Sequence, residues 1–125
     1  GLHFQKAPQA QSKLVRVVQG AIWDVAVDIR SNSQTYKHYV AVELSADNHH
    51  QLFIPKGFAH GFIVTSETAT VQYKTDNYYH PQSDTGIYPY DSDLNIPWPM
   101  PQEEHLLSGK DLQLQRLLNS DHSTA

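Results

Sequence analysis

Alternation of apolar and polar residues runs through most of the chain and predicts short β-strands. The clearest example is the range 21–29, in which alternate residues divide into two faces. One face carries Trp23, Val25, Val27 and Ile29, and the other carries Ile22, Asp24, Ala26 and Asp28. Similar patterns predict strands at 1–5, 14–18, 39–45, 52–54, 59–64 and 68–75. Helical periodicity is almost absent, so the sequence predicts an all-β sandwich or barrel.

The pattern changes after Asp76. The range 77–101 carries five prolines and many aromatic residues, which predicts a long ordered loop without regular strands. Further on, Ser108 followed by Asp111 has the spacing of a capping box, so a short C-terminal helix is expected over 108–118. The last residues, 119–125, are expected to be frayed.

Length and composition limit the classes of function. A chain of 125 residues fits a single domain, here 1–125, with a sizeable core. A net charge of −4 without a basic run argues against nucleic acid or an acidic membrane as a partner. The absence of cysteine excludes disulfides and thiolate metal sites, and it fits a cytoplasmic protein.

The stretch QLFIPKGFAHGF, 51–62, has a strand on each side of a turn at Pro55-Lys56-Gly57. His60 follows that turn, between two small residues. Its imidazole is either a functional group at the mouth of a barrel or a structural one bonded to a backbone carbonyl. The pattern P-x-G-x-x-H resembles the second signature of the cupin superfamily. Metal-binding cupins also have an H-x-H pair, but in His3-Phe4-Gln5 a glutamine stands where the second histidine would be, so no metal is expected.

Seven segments in order carry a more specific resemblance. They are GLHFQ (1–5), KLVRVVQG (13–20), DVAVDIR (24–30), VELSADN (42–48), QLFIPKGFAHGF (51–62), YKTDNYY (73–79) and IPWP (96–99). Together they resemble the dTDP-4-dehydrorhamnose 3,5-epimerase family of metal-independent cupin enzymes. The resemblance implies a cupin-type jelly roll with a short C-terminal helix, a homodimer, a dTDP-4-keto-6-deoxyhexose substrate and no cofactor.

The resemblance also implies the catalytic groups. His3 takes the place of the general base, Tyr73 that of the general acid, and Asp111 that of the carboxylate that orients His3. Epimerisation beside a ketone needs these groups, because one group removes a C–H proton and another returns a proton to the opposite face. A histidine titrates near neutral pH, and a tyrosine can donate a proton while its ring stays in an apolar barrel.

Five further positions match substrate-binding residues of the family: Lys13, His60, Tyr79, Asp84 and Lys110. The resemblance places Lys13 and His60 at the sugar, and a cation such as Lys13 suits the oxygen charge of an enolate. It places Tyr79 on the thymine, and Asp84 and Lys110 at the nucleotide. Family members usually continue upstream of Gly1, with an arginine before the GLHFQ motif. The sequence is therefore expected to be N-terminally truncated relative to the family.

Simpler roles remain open for single residues. Tyr73 fits an ordinary core tyrosine, Asp111 a helix cap, and Tyr79 a packing aromatic. Two other functions also remain open. One is a single-site epimerase or ketoisomerase of a related sugar nucleotide. The other is a non-catalytic cupin that binds a sugar nucleotide or only its own partner subunit.

Overall fold

The structure is a computed structural model that describes residues 1–99 and 114–117. Within these ranges the chain forms strands whose bounds are listed here in order. They are β1 (Leu2–Gln5), β2 (Lys13–Gln19), β3 (Ala21–Asp28), β4 (Tyr39–Ser45), β5 (Gln51–Ile54), β6 (Phe58–Val64), β7 (Thr70–Thr75) and β8 (Asp84–Ile87). Five strands form one antiparallel sheet in the order β4-β3-β6-β1-β8, and three form another in the order β5-β2-β7. The all-β prediction is confirmed.

The two faces of β3 pack into different hydrophobic cores, as its alternation predicts. Ile22 and Ala26 pack between the sheets with apolar residues of β2 and β5, such as Val15 and Ile54. The opposite face packs into a second core on the outside of the five-stranded sheet. Members of this outer core include Leu2, Phe4, Val25, Val27, Ile87, Leu94, Trp98 and Leu117. Apolar burial on both faces makes the five-stranded sheet the central layer of the described structure.

The proline-rich range 77–101 contains a strand that the sequence prediction missed. Asp84–Ile87 form β8, which pairs with β1 from Leu2 opposite Ile87 to Gln5 opposite Asp84. The range 82–88 has no proline, so its backbone donors are free to join a sheet. The prediction of an entirely irregular segment was therefore wrong at β8.

Residues 114–117 lie against β1 and β8. The Leu117 amide donates to Asp91 Oδ2 at 2.7 Å, and the Tyr88 amide donates to the Gln115 carbonyl at 3.0 Å. The predicted helix over 108–118 does not form at 114–116, and Leu117 has a 3₁₀ conformation. The rest of that helix, including Lys110 and Asp111, lies outside the described residues. The described ranges contain no helix with the length and hydropathy needed to cross a membrane.

Candidate functional site

Two histidines lie side by side on neighbouring strands. His3 of β1 is the direct cross-strand partner of His60 of β6. Leu2 and Phe4 belong to the outer core, so alternation places His3 and Gln5 on the face toward the three-stranded sheet. Cross-strand partners share a face, which places the two imidazoles together between the sheets. On the other side of β1, Gly86 lies opposite His3.

His60 is held by a carboxylate that the sequence analysis did not assign to the site. Asp24 Oδ1 lies 2.5 Å from His60 Nε2, and both side chains are buried. Nε2 of the imidazole is therefore bonded to a side chain and not to a backbone carbonyl. Asp24 Oδ2, in contrast, has no hydrogen-bond partner among the described residues.

A second buried aspartate on the same strand face shows how unusual Asp24 is. Asp28 accepts two hydrogen bonds from the Arg30 guanidinium at 2.9 Å, and others from Ser33 Oγ and Thr35 Oγ1. These bonds hold the pKa of the Asp28 carboxyl far below its usual value, against the opposing effect of burial. Buried polar atoms are normally satisfied, so a buried carboxylate oxygen that has no partner among the described residues is exceptional.

The three-stranded sheet contributes two further groups from the opposite side. The Tyr73 ring of β7 meets the His60 ring edge-on, with 6.0 Å between centroids. Lys13 lies on the neighbouring strand β2, where Tyr73 is opposite Val15, two residues along from Lys13. Tyr73 is 46% exposed, which does not fit the simpler role of an ordinary core tyrosine. These contacts place Lys13 and Tyr73 across the inter-sheet space from His3 and His60.

Burial and nearby carboxylates act on the pKa of both groups, and burial has the larger effect. Burial lowers the pKa of Lys13, whereas the negative charges of Asp84 and Asp24 act in the opposite direction. Burial raises the pKa of Tyr73, and the charge of Asp24 raises it further. Asp84 reaches this end of the sandwich because it lies opposite Gln5 on β8. The site therefore favours a protonated phenol at Tyr73, whereas at Lys13 the two carboxylates offset only part of the effect of burial and the pKa stays below its usual value.

The other predicted residues lie farther out or cannot be placed. Tyr79 is 66% exposed on the loop between β7 and β8, so it is not a packing aromatic. Lys110 and Asp111 lie outside the described residues, and the His3–Asp111 pair remains a prediction. Within residues 1–99 and 114–117, no group of three His, Asp or Glu side chains is placed to hold a metal ion.

The architecture and the site together define an all-β protein of the cupin type, with polar side chains gathered between its two sheets. The family model for dTDP-4-dehydrorhamnose 3,5-epimerase matches residues 1–119. The chain belongs to this family, as its sequence motifs predict.

Individual relatives agree with this assignment. The chain is 57% identical over 114 residues to the dTDP-4-dehydrorhamnose 3,5-epimerase of Escherichia coli K12, covering 91% of this chain and 61% of the relative. It superposes with a TM-score of 0.92 on a dTDP-6-deoxy-D-glucose-3,5-epimerase from Legionella pneumophila in complex with dTDP-4-keto-L-rhamnose. That pair is 47% identical, over 97% of this chain and 63% of the other.

A second solved structure is the dTDP-4-dehydrorhamnose 3,5-epimerase of Bacillus anthracis, with TDP and pyrophosphate bound. Its TM-score is 0.89 and its identity 51%, with 93% of this chain and 65% of that chain covered. The chain thus spans about three fifths of the length of these relatives.

Proposed function

We propose that this chain catalyses epimerisation at C3 and C5 of a dTDP-4-keto-6-deoxyhexose, as its family membership suggests. The observation that carries the proposal is the gathering of His3, Lys13 and Tyr73 around one end of the inter-sheet space. Several relatives carry the name of this activity, and one was solved with a dTDP-4-keto sugar. Proton removal and proton return need only side chains, so the proposed reaction uses no metal or nucleotide cofactor.

Each side chain has one task in the proposed reaction. His3 takes the C–H proton beside the C4 ketone, and the electron pair moves to the carbonyl oxygen to give an enolate. The Lys13 ammonium stabilises that oxygen charge, and Asp84 and Asp24 help to keep Lys13 protonated. Tyr73, from the opposite sheet, returns a proton to the other face of the carbon. Solvent then restores both groups, so no redox change occurs.

The remaining predicted residues bind or orient in this scheme. His60, fixed by Asp24, contacts the sugar, and Tyr79 stacks on the thymine. Asp84 and Lys110 contact the nucleotide, and Asp111 orients His3. The assignments of Lys110 and Asp111 rest on the resemblance alone, because these two residues lie outside the described part of the chain.

Solvent-deuterium incorporation tests the proposed function. In D₂O, dTDP-4-keto-6-deoxyglucose should gain deuterium at both C3 and C5, and NMR measures the incorporation at each carbon. Incorporation at one carbon only would identify a single-site epimerase, and a carbonyl moved to C3 would identify a ketoisomerase. Binding of the substrate without any incorporation would identify a non-catalytic cupin, and the proposal would then be wrong.

We also propose that the chain forms a homodimer through its three-stranded sheet. Phe53 is 60% exposed on β5, an edge strand of that sheet, where it lies opposite Leu14 of β2. An exposed apolar edge of this kind favours association with another chain. Sedimentation equilibrium should give twice the chain mass of 14.2 kDa, and Phe53→Lys should shift it toward the monomer. If the unaltered chain sediments as a monomer at micromolar concentration, the proposed homodimer is wrong.

A further inference from the structure

The buried Gln5 side chain uses its carboxamide to hold a loop of the site. It is 3% exposed at the end of β1, on the same strand face as His3. Its Nε2 donates to the Gln9 carbonyl at 2.6 Å and to the Tyr78 carbonyl at 3.2 Å. Its Oε1 accepts from the His80 amide at 2.8 Å. Both donor hydrogens and the acceptor of this carboxamide are therefore engaged with backbone groups.

Two of these bonds enclose Tyr79. The Tyr78 carbonyl belongs to the peptide before Tyr79, and the His80 amide belongs to the peptide after it. One carboxamide thus fixes both peptide planes that flank Tyr79, which sets its backbone dihedrals and the direction of its side chain. The ring itself remains 66% exposed and available to a ligand.

Neighbouring bonds hold the same loop at its two ends. Gln11 Nε2 donates to the Asn77 carbonyl at 2.8 Å, and His80 Nδ1 lies 2.8 Å from Ser83 Oγ. An aromatic platform that is already ordered loses less conformational entropy when a base stacks on it. The loop is therefore built to present Tyr79, and Gln5 supplies its central attachment to the sheet.

We infer that Gln5 is a positioning residue that fixes Tyr79 for stacking on the thymine of a dTDP-sugar. The inference rests on the proposed function, because it takes Tyr79 as the thymine platform. Gln5 and His3 are two residues apart on one face of β1, a separation of about 7 Å. The same strand therefore sets the position of the base His3 and that of the nucleotide platform.

The test is a double-mutant cycle on the affinity for dTDP, measured by calorimetry. Gln5→Met keeps the length of the side chain and removes all three hydrogen bonds. Stacking on an aromatic ring is typically worth a 5- to 150-fold change in affinity, so we expect Gln5→Met to weaken dTDP binding about 10-fold. Tyr79→Ala should weaken it at least as much. The double variant should be no weaker than Tyr79→Ala, because both changes remove the same stacking.

Three further measurements separate positioning from general stability. Gln5→Met should raise KM for the dTDP-sugar about 10-fold while kcat changes less than about 3-fold, in keeping with the expected loss of stacking. In the absence of ligand, amide hydrogen exchange at His80 should be faster in Gln5→Met than in the unaltered chain. Gln19→Met makes the same substitution at an exposed bond, from Gln19 Nε2 to Thr68 Oγ1 at 3.2 Å, and should leave dTDP affinity unchanged. If Gln5→Met does not fold, Gln5→Glu replaces it, since Glu keeps an acceptor for His80 and loses both donors.

The outcomes distinguish this inference from the proposed function. If the unaltered chain fails to bind dTDP, the proposed function is wrong and the inference falls with it. If the unaltered chain binds dTDP but Gln5→Met or Gln5→Glu binds it equally well, only the inference is wrong. It is also wrong if Tyr79→Ala has no effect, or if the effects of Gln5→Met and Tyr79→Ala are additive.

Discussion

Replacing His3 with asparagine should lower kcat for solvent-proton exchange by about 10²- to 10⁴-fold, the usual contribution of a general base. Asparagine is polar and slightly smaller, so it fits the inter-sheet face of β1. It has no group that titrates near neutral pH, however, and it cannot accept the C–H proton. NMR of deuterium incorporation at C3 and C5 measures the loss, and calorimetry should show nearly unchanged dTDP affinity.

His49→Asn is the matched control for the His3 experiment. His49 lies exposed in the turn before β5, with a φ of 57°, a left-handed conformation that asparagine readily adopts. This variant should keep the exchange rate and melting temperature of the unaltered chain. Exchange at the unaltered rate in His3→Asn would remove His3 from the proposed mechanism.

Local pattern alone predicts most of the strands and their faces. The range 39–45 is predicted as a strand and observed as β4, and the two faces of β3 bury the two predicted sets of side chains. Alternation predicts these strands because successive residues of a strand point to opposite faces of the sheet. The polarity of each residue matches the surroundings of its own face. β8 carries only Ile87 as a large apolar residue, and its pairing depends on β1, about eighty residues earlier in the chain. Such a distant partner leaves no local signal.

Asp24 shows the same limit within the site. Asp24 and Asp28 lie four residues apart on one face of β3, and both are buried. The donors to Asp28 lie two to seven residues away along the chain, whereas the partner of Asp24 is 36 residues away, so no neighbouring residue identifies it. The available signal was an aspartate between two apolar residues of the same face, Ile22 and Ala26. A buried charge at such a position needs a partner, which directs attention to the histidines.

Asp24→Asn should lower kcat/KM about 100-fold and leave the free energy of unfolding almost unchanged. Asparagine can keep a hydrogen bond to His60 and removes a charge whose second oxygen has no partner among the described residues. The free energy of unfolding should therefore change by less than about 1 kcal/mol. The activity should fall because the negative charge of Asp24 no longer favours the ammonium of Lys13.

The pH dependence of kcat/KM tests this role of charge directly. The charge of Asp24 raises the pKa of Lys13 and also that of Tyr73, so its removal lowers both. In Asp24→Asn, Lys13 therefore loses the proton that stabilises the enolate at a lower pH than in the unaltered chain. Tyr73 likewise loses the proton that it donates at a lower pH. The alkaline limb of the kcat/KM profile should accordingly move to lower pH in Asp24→Asn.

Asp28→Asn should give the opposite result and is the matched control. Its carboxylate accepts bonds from Arg30, Ser33 and Thr35, and an amide oxygen cannot replace both carboxylate oxygens. Urea unfolding at pH 7 should show a loss of about 2 kcal/mol, the range for hydrogen bonds to a charged group, with kcat unchanged. The folded pKa of Asp28 lies below its unfolded value, so this stabilisation is present above about pH 4 and declines as the pH falls further. The difference in the free energy of unfolding between Asp28→Asn and the unaltered chain should therefore become smaller as the pH falls.

If Asp24→Asn instead loses as much stability as Asp28→Asn and exchanges protons at the unaltered rate, Asp24 has a structural role only.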